Sequence, residues 1–238
     1  MNDYNNSARA YWWIIAIVGF GLLANALIFV AALPTASIVQ IVLVAAFVCA
    51  VAFFPVKIPG TTLSFAAGEI FIFLALLIFG VEAAAIAAAL ESAVGAVRTS
   101  KRWTSWFGSP AMAAIATSIS GYAFLAVRAA LERNAMLNGA TILLLLTVIA
   151  IVYFALCNVL PSLLLALKRN ERLDVVVLLK DRNWMAMAHI CSIAIASLIH
   201  LADASVDVWV LFSALPVIFL SQWSAHSMLE RVDAELRA

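Results

Sequence analysis

Apolar residues run along this chain in long unbroken stretches, neither alternating with polar ones nor confined to one helical stripe. Eight such stretches stand out, at 11–33, 37–54, 65–79, 82–98, 110–131, 139–166, 184–203 and 206–225. A run of about 17 to 25 apolar residues can cross a hydrocarbon core of about 30 Å as a helix. A closed barrel is the other spanning option, but it needs alternating polarity, which these runs lack. The pattern therefore predicts an all-α, polytopic transmembrane helical bundle with about eight membrane helices. The short third and fourth form a hairpin that reverses at Phe79-Gly80, where glycine permits a tight turn. The first run exceeds the apolar stretch of about 7–15 residues in a signal peptide, and only Arg9 precedes it, so it reads as a retained anchor helix.

Composition agrees, with 66% hydrophobic residues, 11% charged residues and a mean hydropathy of +1.09. Soluble domains carry roughly 25% charge. The positions of the cations then give a direction. Threading the eight runs back and forth puts Arg9, Lys57, Arg98, Lys101, Arg102, Lys168, Arg169, Arg172, Lys180, Arg182, Arg231 and Arg237 on one side, and leaves only Arg128 and Arg133 on the other. By the positive-inside bias the rich side is the cytoplasm, so the N- and C-termini are both expected there, in a multi-pass protein of the inner membrane. Tryptophans support the same threading. Trp12, Trp13, Trp103, Trp106, Trp184 and Trp223 fall near the inner interface and Trp209 near the outer, the headgroup depth that indoles prefer.

Several function classes drop out. Cys49, Cys157 and Cys191 each lie within an apolar run and form no C-x-x-C pair, so they read as small hydrophobes rather than as metal or redox groups. Glycine-rich phosphate loops, G-x-S-x-G elbows and H-E-x-x-H are lacking, so no catalytic residue and no metal site is expected in this chain. A net charge of +1, with basic residues only at loop edges, argues against nucleic acid as a partner. No cofactor is called for. A single haem between His189 and His226 is the one geometric opening, His200 lying eleven residues beyond His189.

Candidate chemistry concentrates in 55–102. Pro55 and Pro59-Gly60 bar a helix there, and Ser64 is placed to cap the helix that follows, with Glu69 about one turn inside it. On the returning helix Glu91 and Arg98 share a face, about 10 Å apart along the axis. Because the hairpin is antiparallel, Lys57, Glu69, Glu91 and Arg98 can converge as one polar, ligand-binding cluster in the inner half of the membrane. Ionisable groups at such depth cost about 2.5–3.5 kcal/mol each and tend to be paired or to face a cavity. An ion pair that merely locks the hairpin, a ligand or ion site, and a proton relay all fit this set. Ala84, Ala88, Ser92 and Ala96, beside Ala85, Ala89 and Ala93, give the fourth helix small-residue stripes that suit a central position.

Smaller features complete the picture. Glu82 suits the positive start of the fourth helix, Arg128 and Glu132 make an i,i+4 pair, Asn25 and Asn158 suit interhelical hydrogen bonds, and Pro161 and Pro216 suit kinks. Beyond the last run, Met228, Leu229, Val232 and Leu236 recur at helical spacing among charges. The chain therefore divides into a membrane module, 1–225, and the start of a cytoplasmic helix, 226–238, that reads as a stalk suited to homodimerisation.

The stretch from Phe54 to Ala85, followed by Leu90-Glu91-Ser92 and Arg98-Thr99-Ser100-Lys101-Arg102-Trp103, resembles the MASE-type membrane sensor modules of bacteria. Ser64, Glu69, Phe71, Phe73, Leu74, Phe79, Gly80, Glu82 and Ala83 carry the resemblance. Such modules precede GGDEF or HD-GYP domains, which make or degrade cyclic-di-GMP. The resemblance implies sensing of a small molecule or membrane state, relayed through the C-terminal helix to that output domain. No such domain follows residue 238, so the chain reads as an excised module or as one acting through a partner. The same Pro-Gly loop and Phe-Gly-x-Glu hairpin are similar to substrate-binding subunits of energy-coupling-factor vitamin transporters. Those have six helices, and eight runs count against them.

Overall fold

The apolar runs fold as helices, and their ends explain themselves. In the computed structural model, residues 4–53, 56–57, 64–65, 68–136, 138–171 and 192–196 are described, with backbone only at 56–57 and 64–65. Helix α1, Asn6–Ala31, starts where the Asn5 side chain accepts the Ala8 N–H at 2.8 Å. After a three-residue reversal ending in Pro34, α2 runs Thr35–Ala52. An antiparallel pair, β1 (Val56–Lys57) and β2 (Ser64–Phe65), follows, then α3 (Glu69–Phe79) and α4 (Val81–Thr99). Helix α5 is Trp103–Arg133 and α6 is Gly139–Arg169. Asn138 and Thr141 cap α6 reciprocally, and left-handed Asn170 closes it.

Four of these helices, α1, α2, α5 and α6, are long and apolar enough to cross a membrane. The outward faces of α1 confirm what solvent they suit: Ile17 is 69% exposed and Ile28 73%, an arrangement that belongs in lipid rather than water. Helix α4, at about 28 Å, also has the length to cross, but Glu82, Glu91 and Arg98 interrupt its apolar run. Helix α5 begins seven residues earlier than the apolar run at 110–131 suggests, with Pro110 inside it. Its length of about 46 Å exceeds the hydrocarbon core, so its Trp103 end reaches headgroup depth.

The third apolar run needs correction. Ser64 caps no helix; it lies in β2 opposite Lys57, and α3 begins only at Glu69, with Gly68 at its N-cap. The strand pairing holds the chain extended through Phe65, so α3 keeps 11 residues, about 16 Å, roughly half a crossing. Its far end turns as expected: Gly80, at φ 96°, both closes α3 and precedes α4.

Helix α4 is central, packing against α1, α2, α3 and α5, as its alanine stripes require. Helix α3 is buried from Glu69 through Leu76, and Phe71, Leu74, Val48, Ala84 and Leu146 form the main core around it. Helices α1 and α5 approach so closely at Gly19 that a Cβ there would collide with the Ala111 backbone. Ile193 and Ala196, in a helical stretch at 192–196, also join the core.

Tie points fix which helix ends share a face. Asn5 donates to the Leu167 carbonyl, Trp12 Nε1 to the Thr104 carbonyl at 2.9 Å, and Arg98 to the Ala52 carbonyl at 2.9 Å. The start of α1, the ends of α2, α4 and α6, and the start of α5 therefore lie together, with Arg9, Arg98, Lys101, Arg102, Lys168 and Arg169. Arg128 and Arg133 belong to the opposite face. The described cations thus gather at two opposite ends of the bundle. The runs at 184–203 and 206–225, apart from 192–196, lie outside the described residues, as do His189, His200, His226 and the stalk at 226–238.

Candidate functional site

Helix α3 starts deep in the bundle, and this sets the depth of two carboxylates. Glu69 opens α3 ten residues from Phe79, and Glu91 lies ten residues beyond Val81 on α4. Each is thus about 15 Å from the hairpin tip, so the two are level, close to mid-membrane. They also meet laterally. Glu91 Oε1 rests against Gly68, the residue before Glu69, and a Cβ at Gly68 would collide with it. Glu69 is 9% exposed, and Glu91 Oε1 is buried without a hydrogen-bond partner.

Other elements close around the pair. Tyr153 and Cys157, one turn apart on α6, share a side-chain hydrogen bond and lie within electrostatic reach of both carboxylates. Cys49 on α2 lies within reach of Glu91. The Phe73 ring of α3 meets Tyr153 edge-on at 5.5 Å, and Phe71 stacks with Phe47 of α2 at 6.2 Å. Four helices thus converge here, and aromatic rings surround the polar groups. Tyr153, Cys157 and Gly68 are the residues that sequence reasoning missed. A tyrosine four residues before a cysteine in an otherwise apolar run was the only signal, and nothing in the sequence aims it at α3.

Of the four residues expected to converge, the structure joins Glu69 and Glu91. Arg98 does not join them. Its guanidinium, on the exposed end of α4, donates to the carbonyls of Ala52 and Phe53 and lies over the Phe53 ring at 5.7 Å. The physical reason is that α2 ends there with unsatisfied carbonyls and a negative dipole end, an attractive partner for a cation at headgroup depth. Lys57 lies in β1; its side chain is outside the described ones.

The pair has one consequence. The N-terminus of α3 carries about half a positive charge, which suits one carboxylate but not two. Two like charges in a medium of low dielectric need positive charge between them. With Arg98 engaged elsewhere, that charge falls to a cationic residue outside the described side chains, Lys57 among them, to a bound cation or to a proton. Among the described residues no group of three or more His, Cys, Asp or Glu could hold a metal ion, so a site for a multidentate divalent metal is not formed by them.

Other polar groups contribute contacts of their own. Glu82 accepts from the Tyr122 hydroxyl at 2.9 Å, which ties the start of α4 to α5 besides its place in the first helical turn. Arg128 and Glu132 pair at 2.9 Å. Asn158 donates to the Phe154 carbonyl of its own helix, and Asn25 is exposed. Comparison with protein-family models, with curated proteins and with solved structures finds no match.

Proposed function

We propose that this chain is a sensory input module of the bacterial inner membrane in which the Glu69–Glu91 pair receives a positively charged stimulus, a small cation or a proton. The resemblance to MASE-type modules supplies the rest of the reading. A change at the pair shifts α4 against its neighbours, and the C-terminal helix relays the shift to a cytoplasmic GGDEF or HD-GYP output, in a homodimer with both termini in the cytoplasm. The observation that carries it is the level placement of two buried carboxylates at the start of a half-length helix. Protonation or a cation binds such a pair more tightly in a packing that brings the carboxylates together than in one that parts them, and that difference is what moves a two-state population.

A second reading is a substrate-binding subunit of a transporter, resembling those of energy-coupling-factor systems. Interrupted helices beginning at mid-depth are used at transport sites, which favours keeping it. One experiment separates the two. A cyclic-di-GMP output domain is fused after Ala238, and its activity is followed through pH steps and on addition of sodium or methylammonium. Sensing predicts a response that Glu91→Gln abolishes while the protein still inserts. An unaltered response in that variant ends the proposal, and net uptake of the cation into vesicles transfers the site to transport.

A further inference from the structure

One polar group in the membrane span of α1 serves neither the core nor the carboxylate pair. Asn25 is exposed and makes no hydrogen bond with any described residue. It lies about 18 Å along the helix beyond Trp13 and about 9 Å before the end of α1 at Ala31. That depth is inside the hydrocarbon, where no water reaches a carboxamide and an unmet donor or acceptor is costly.

The surface around Asn25 suits a second helix. Trp13, Ile17, Gly21, Asn25 and Phe29 follow one another at four-residue steps, and every one is exposed. Such a row forms a ridge that packs against a like ridge. Nothing lies within 4 Å of where a Gly21 Cβ would stand, so another backbone can come close one turn before the amide. The buried side of α1 is already committed. Gly19 meets Ala111 of α5, Val30 packs with Ala83 of α4, and the Tyr11 hydroxyl donates to the Leu160 carbonyl of α6 at 3.0 Å. The described part of the run at 184–203 packs elsewhere: Ile193 and Ala196 join the core around α3, to which α1 contributes no described residue.

A carboxamide both donates and accepts, so another carboxamide is its full complement in lipid. Between Arg9 and Lys57 the chain carries no charge, and a like surface therefore meets no repulsion there. We infer that α1 is a seam between two copies of this chain, with Asn25 hydrogen-bonded to the partner's Asn25 across a two-fold axis and Gly21 at the closest approach. The seam gives the proposed homodimer an interface inside the membrane; it rests on that homodimer and not on the stimulus at the carboxylates.

The test uses the full chain with donor or acceptor fluorophores attached after Ala238, reconstituted in phosphatidylcholine vesicles. Self-association is read by energy transfer as the lipid-to-protein ratio rises. The wild type associates, and Asn25→Leu weakens the association by about tenfold, the loss expected for two interhelical amide hydrogen bonds. Gly21→Ile weakens it by at least as much, Asn25→Gln retains part of it, and Val42→Ala, on the exposed face of α2, leaves it unchanged. Asn25→Leu removes a polar group from lipid, so that variant inserts and folds as well as the wild type. Association that Asn25→Leu leaves intact overturns the seam but keeps the homodimer, which the helix at 226–238 would then carry alone. A wild type that stays monomeric overturns both. A loss of thermal stability in the Asn25→Leu monomer also overturns the seam, because the amide would then be held by another run of the same chain.

Discussion

Two acidic groups in this molecule show how depth decides the meaning of a charge. Glu132 lies at the end of α5, half-exposed, and pairs with Arg128 one turn away at 2.9 Å. Such i,i+4 surface pairs are worth about 0.3–0.5 kcal/mol. Glu91 is the same residue type in another apolar helix, yet its Oε1 is buried without a hydrogen-bond partner against the backbone that leads into Glu69. A partner lies within easy reach of the first carboxylate; at the second, a like charge does. The outer pair can be lost without consequence, whereas the inner pair sets a requirement for positive charge that the bundle must meet by residue, ion or proton.

The largest expected effect is functional. Glu91→Gln keeps shape and removes the charge, so the output response is lost entirely while thermal stability in detergent changes by no more than about 1 kcal/mol. Collapse of expression or insertion in that variant would assign the pair to a structural lock. Gly68→Val comes next. The added branches have no room beside Glu91 Oε1, and overpacking of this kind costs up to about 3 kcal/mol. Thermal unfolding should show that loss, and Glu91→Ala in the same chain should restore much of it; absence of rescue would mean that the two residues do not touch. Arg98→Gln removes a charged donor from the end of α2 and should cost about 1 kcal/mol, since the group is exposed and solvated. It should leave the output response in place, because Arg98 does not serve the carboxylates. Smallest of all, Arg128→Ala should shift stability by less than about 0.5 kcal/mol, with no change in response.

Much of this architecture could be read from the chain. The runs at 11–33, 37–54, 82–98 and 139–166 became helices within a few residues of those bounds, because length and apolarity leave few alternatives in lipid. Alanine spacing foretold the central place of α4, and Gly80 foretold the hairpin turn. The start of α3 was not legible: whether the chain after Pro59-Gly60 pairs as strands or enters a helix depends on contacts between Val56–Lys57 and Ser64–Phe65. That same detail moved Glu69 from inside a helix to its first residue, so that Gly68, where the chain enters α3, meets Glu91. Arg98 misled for a related reason. Helical spacing relates it to Glu91, but the carbonyls that attract it belong to α2, 45 and 46 residues earlier in the chain. Tyr153 and Cys157 had no sequence signal linking them to α3, since only packing brings α6 there.

The most direct measurement is carboxyl labelling by a lipid-soluble carbodiimide, which modifies protonated carboxyls shielded from water. It is applied to the dialysed full chain at mildly acidic pH and mapped by peptide mass spectrometry. The account predicts modification at the Glu69–Glu91 pair and none at Glu82 or Glu132. A pair that stays unmodified, as it would if an internal cation held both carboxylates permanently ionised, would contradict it.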